Sequence, residues 1–234
     1  MNTPSYSNPY VMAADSAPQA RGQFLRRTYG HLAGAILAFA VLTGVLVEMF
    51  GPAMLQLMTA GKYSWLVVLG LFMGVSWLAQ KWADSGASLG LQYAGLALYV
   101  VAEAIIFVPI LTVAATMGSD IIPMAAMITL GLFVGLTAVV VTTRIDFSFL
   151  RGFLVIGGFV ALGVIVASIV FGFSLGVIFA GAMALFAGAA VLYNTSAVMN
   201  GYRTDQYVAA SLSLFASIAL LFWYILRIVM SMRR

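Results

Sequence analysis

The 234-residue chain has no cysteine and a single histidine, and only 8% of its residues are Asp, Glu, Lys or Arg. Without thiols there can be no disulfides, thiolate metal sites or cysteine nucleophiles. The lone His31 excludes a histidine-based metal cluster. A soluble domain carries roughly a quarter of its residues as charges, so most of this surface must meet lipid rather than water. A basic patch interleaved with aromatics is also missing. The net charge of +4 comes from arginines near the ends of apolar runs, a topology signal that argues against nucleic-acid binding.

What is present is apolar sequence, with 63% hydrophobic residues and 23 glycines. About 20 apolar residues cross a bilayer, and such runs fall at 30–50, 64–80, 89–114, 121–142, 153–172, 175–193 and 207–230. The expectation is an all-α polytopic membrane protein of seven transmembrane helices. The fifth and sixth runs are nearly continuous, which keeps open six spans with a re-entrant seventh. Residues 1–23 are rich in Ser, Pro, Asn and Ala without periodicity and read as a disordered tail. They lack the basic n-region of a signal peptide, leaving 24–234 as the membrane domain. With the N-terminus cytoplasmic, Arg21, Arg26, Arg27, Lys81, Arg144, Arg151 and Arg203 all fall inside, as positive residues prefer. Glycines spaced four apart, such as Gly30/Gly34, Gly70/Gly74 and Gly131/Gly135, suggest close helix packing in a compact bundle.

Glu103 is the only acidic residue well inside an apolar run. At that depth a carboxyl is protonated, paired or turned to water. It marks either an ion or proton site, or a hydrogen bond to a neighbouring helix. Pro109 removes a backbone donor six residues on, which frees a carbonyl for a cavity or serves packing alone. Glu48 and Asp120 read as span-end residues, Arg144–Arg151 as a surface turn with local ion pairs, and His31 as an interfacial histidine. Asn194-Thr-Ser196 has the glycosylation pattern but would sit on the wrong side to be used. No Ser/His or Ser/Lys pair, facing aspartates or His-Glu-x-x-His occurs in the spans, so catalysis is not expected, and no cofactor is implied.

Four stretches together resemble the Bax inhibitor-1 (transmembrane Bax inhibitor motif) family. They are Phe24-Leu-Arg-Arg-Thr-Tyr29, then Glu103 with Pro109, then Thr143-Arg-Ile-Asp146-Phe-Ser-Phe-Leu150, and finally Leu192-Tyr-Asn-Thr195 followed by Tyr207 and Leu212-Ser-Leu-Phe215 through Leu226-Arg227. The resemblance implies six helices around a central C-terminal seventh, in a bacterial inner (plasma) membrane. Some members leak Ca²⁺ in a pH-dependent way, latched by two aspartates that share a proton; some bacterial members are linked to a membrane-bound protease. Carried over by position, the aspartates fall on Asn194 and Ser217, neither of which ionises. A basic gate partner would fall nearest Lys81. Three consequences compete: a Ca²⁺ or cation leak without pH gating, a non-conducting protein that binds a partner such as a membrane protease, or a pathway titrated by Glu103 alone.

Overall fold

The structure, a computed structural model, describes residues 11–61, 63–86 and 88–233. Among the described residues seven helices form on the apolar runs: α1 (Pro18–Thr59), α2 (Ser64–Ala83), α3 (Leu89–Met117), α4 (Ile121–Thr143), α5 (Leu150–Phe171), α6 (Val177–Asn200) and α7 (Tyr207–Ser231). All seven are long and apolar enough to cross a membrane. Local chemistry sets their ends. Pro18, with no N–H to lose, opens α1, and the Ser88 hydroxyl accepts the Leu91 N–H at the start of α3. Gly172 closes α5 in the left-handed region (φ +77°), its N–H on the Ser168 carbonyl. That glycine settles the fifth and sixth runs as two separate helices.

The helices alternate in direction. The Arg21 side chain reaches the Met199 carbonyl at one end, and Arg233 pairs with Asp120 at the other. One end therefore gathers the start of α1 and the α2–α3, α4–α5 and α6–α7 connections. The opposite end holds the remaining connections and the end of α7. In α7 and α3, 61% and 56% of the central residues are buried, against 22% or less in the other five. The core is thus an inner pair, with α7 packed on α1, α2, α3, α4 and α6. Phe39, Phe107, Phe215 and Phe222 interlock there, Phe107 and Phe222 stacked at 5.6 Å.

Two expectations change. Residues 11–23 are not a disordered tail. The Ala13 N–H donates to the Tyr202 carbonyl (2.8 Å), the Thr204 N–H donates to the Val11 carbonyl (3.4 Å), and Ala13 is fully buried. Backbone groups of the α6–α7 connection supply these partners, which side-chain periodicity cannot announce; residues 1–10 lie outside the described residues. The four-spaced glycines also do not pack helices together. A Cβ on Gly30, Gly34, Gly70, Gly74, Gly131 or Gly135 would meet nothing within 4 Å. The close approach is made by Gly95, where a Cβ would lie 2.5 Å from the Ala79 carbonyl oxygen and 2.7 Å from the Ala83 nitrogen. That contact brings α3 backbone onto α2.

Candidate functional site

Glu103 is buried midway along α3, one turn after Tyr99. Residues four apart share a helix face, and this face lines a cavity of about 570 Å³ walled by α2, α3, α5, α6 and α7. Among the described residues the ion pairs are Arg203–Asp205 and Arg233–Asp120. Among the described residues, Glu103 therefore has no cation within pairing distance.

The structure brings Asn194 and Ser217 into the same cavity. The Asn194 Nδ2 donates to Ser217 Oγ at 2.6 Å and to the Ser213 carbonyl at 3.3 Å, while Ser217 Oγ donates to that same carbonyl at 3.0 Å. Every proton in this contact belongs to an amide or a hydroxyl. Asn194 also borders a second cavity of about 190 Å³, lined by Gln80, Asp84, Tyr202 and Ser213. The Asn194–Ser217 clamp thus stands between the two spaces. In the smaller one, the Tyr202 hydroxyl donates to Ser213 Oγ at 3.0 Å. Burial pushes the Asp84 carboxyl above the usual aspartate range and raises the Tyr202 phenol.

Toward the other end the large cavity is bounded by Trp65 and Trp223, stacked at 6.0 Å, and by Arg227. Arg227 Nη2 donates to the Leu175 carbonyl at 3.0 Å, and the same residue lines a further cavity of about 390 Å³ beside Pro109. Pro109 thus sits at a cavity wall within a continuous α3.

Lys81 does not join the pair. It is exposed, with Nζ 5.0 Å from the Trp77 ring centre. The polar α2 side chain lining Asn194's smaller cavity is Gln80, beside Ala83, because Ser76, Ala79 and Ala83 mark the buried face and the step from Gln80 to Lys81 turns the helix by about 100°. Sequence reasoning missed Gln80, Asp84, Tyr202 and Arg227. The small-residue spacing Ser76-Ala79-Ala83 pointed to Gln80, and an arginine inside the last apolar run pointed to Arg227.

Other candidates are displaced from the core. Glu48 is not at a helix end, since α1 runs past it and Pro52 to Thr59. Among the described residues Asp146 of the α4–α5 turn has no ion pair; its carboxylate accepts the Ser148 N–H (2.9 Å), the Ser148 hydroxyl (3.1 Å) and the Ser196 hydroxyl of α6 (3.2 Å). Those hydrogen bonds hold its pKa below the usual range. His31 is half-buried, with Nδ1 2.6 Å from the Arg27 carbonyl and Nε2 2.8 Å from the Tyr93 hydroxyl.

These features define a seven-helix membrane bundle with polar groups converging on an internal cavity. Residues 21–234 match the family described as inhibitor of apoptosis-promoting Bax1, and the chain belongs to that family, the Bax inhibitor-1 family. It is 34% identical over 209 residues to an uncharacterized protein of Pseudomonas aeruginosa, with 87% of each chain covered. It is also 31% identical over 198 residues to one of Pasteurella multocida, covering 83% of each, and 26% identical over 171 residues to one of Neisseria meningitidis, covering 71% of this chain and 72% of that one.

Proposed function

We propose that the protein is a Ca²⁺ or cation leak pathway of the bacterial inner membrane whose family pH latch is replaced by a clamp that does not titrate. The observation that supports this reading is the single cavity shared by Glu103, Tyr99, Asn194 and Ser217, with the Asn194–Ser217 contact at its border with the smaller space. Glu103 supplies the acidic group a cation would meet. The clamp acts as a door whose opening depends on breaking neutral hydrogen bonds, each worth about 1 kcal/mol net, rather than on losing a proton.

Ca²⁺ entry into dye-loaded proteoliposomes at acidic and alkaline pH tests this. The expected result is flux that varies little with pH and is lost in Glu103→Gln, which keeps shape and hydrogen bonding and therefore the fold. Strong pH dependence in the parent would move the sensor to Glu103 or His31. Absence of flux under every condition overturns conduction in favour of a membrane protein that binds another, such as a membrane protease.

A further inference from the structure

Between α1 and α3, outside the Glu103 cavity, lies a cleft of about 790 Å³. Its rim carries Arg26, Arg27, His31 and Tyr93, and its floor runs over Gly30, Gly34 and Ala38 to Leu42. From Arg26 to Leu42 the helix rises about 24 Å, enough to reach from headgroup level through the roughly 15 Å of one leaflet's hydrocarbon. One end of the cleft is cationic and the rest is apolar.

The rim is a built arrangement. Neither Arg26 nor Arg27 forms an ion pair with a described carboxylate. The Arg27 guanidinium stands 5.3 Å from the centre of the Tyr207 ring, a cation–π contact that leaves its charge unneutralised. A carbonyl can only accept, so His31 Nδ1 carries a proton toward the Arg27 carbonyl, while Nε2 lies 2.8 Å from the Tyr93 hydroxyl. Imidazole and phenol are thereby fixed beside two unneutralised cations. Along the floor, a Cβ on Gly30 or Gly34 would meet no protein atom within 4 Å. These glycines leave a furrow that the chain itself does not fill.

We propose that this cleft binds one anionic glycerophospholipid of the surrounding bilayer, its phosphate on Arg26 and Arg27 and an acyl chain along Gly34 and Ala38 toward Leu42. Basic pockets between membrane helices hold such headgroups by charge, and the furrow below matches a chain in length and polarity. A free phosphate would use the rim alone. A second copy would have to bring carboxylates to the rim; at this end Asp146 is held by Ser148 and Ser196 and Asp205 by Arg203, which leaves Asp15 and Asp84 for that role, and such docking would read as a dimer.

The full chain, reconstituted in phosphatidylcholine doped with phosphatidylglycerol or cardiolipin, is released in mild detergent, and retained lipid is read by native mass spectrometry. The parent retains an anionic lipid in preference to phosphatidylcholine, and excess inorganic phosphate does not displace it. Arg26→Gln with Arg27→Gln lowers retention roughly twentyfold. Gly34→Leu, whose side chain enters the open furrow, lowers it while leaving the melting temperature in pure phosphatidylcholine unchanged. That variant carries the test if the arginine variant fails to fold. Arg144→Gln with Arg151→Gln, exposed at the same end but outside the cleft, retains lipid like the parent. Four results overturn the proposal: undiminished retention in the first two variants, equal loss in the Arg144/Arg151 control, displacement by phosphate, or a dimer that Gly34→Leu breaks.

Discussion

Ser217 has one hydroxyl proton, and the Ser213 carbonyl takes it. Its oxygen must therefore accept, and the Asn194 amide must present its NH₂ edge. Ser217→Ala leaves the amide only the longer bond to Ser213, and lowers stability by about 1–3 kcal/mol in a detergent melt. Asn194→Asp with Ser217→Asp sets two carboxyls in the same contact. They cannot both ionise there, so they share a proton and titrate as a pair; flux acquires a pH response the parent lacks, and the melting temperature gains a pH-dependent component on top of the parent's own. An unchanged pH profile would remove these two positions from any gating role.

Two other aspartates give opposite signs. The Asp84 pKa is raised by burial, so its ionisation opposes folding as pH climbs above the ordinary value of about 3.9. Asp84→Asn therefore raises the melting temperature at pH 7, and the gain disappears in acid. The Asp146 pKa is lowered by hydrogen bonds, so its contribution is present at neutral pH and is lost as pH falls through its depressed pKa. Asp146→Asn lowers the melting temperature at pH 7. If both variants shift it in the same direction, the environments assigned to these carboxyls are wrong.

At the scale of the elements, apolar runs long enough to span a bilayer revealed all seven helices, because lipid forces backbone groups to pair within each segment. Helix rotation was less legible. Lys81 carried the charge that drew attention, yet Gln80 faces the cavity, and a sequence without a strong polar stripe leaves an error of one residue undetected. Small residues were ambiguous for the same reason. A glycine that admits another helix and one that faces a lipid-filled furrow look alike until the partner is placed. Gly95 is the former, and Gly95→Ala must separate α2 from α3 backbone, costing about 1–3 kcal/mol. On the open flanks Gly70→Ala stays within about 0.5 kcal/mol. Paired thermal melts distinguish them, and equal losses would show that Gly95 is not the contact that sets the α2–α3 distance.

At the scale of the whole molecule, what remains is the direction in which the bundle crosses the membrane. Arg21, Arg26, Arg27, Lys81, Arg144, Arg151 and Arg203 belong to the end shared by the N-terminus and the α2–α3, α4–α5 and α6–α7 connections. The opposite end has fewer cations, and there Arg233 is neutralised by Asp120. Cations resist transfer across the bilayer, so the prediction is that the richer end stays cytoplasmic. That orientation also puts the Arg26–Arg27 rim against the leaflet whose surface potential attracts basic segments. Because the chain has no cysteine, single-cysteine labelling needs no background removal. A membrane-impermeant maleimide applied to right-side-out vesicles should modify Ser119→Cys, in the α3–α4 connection, and spare Ser148→Cys, in the α4–α5 connection, with the pattern exchanged in inverted vesicles. The opposite labelling would place the cation-rich end outside. Labelling of both sites from one side would mean the two connections do not face opposite sides, as α4 crossing the bilayer requires.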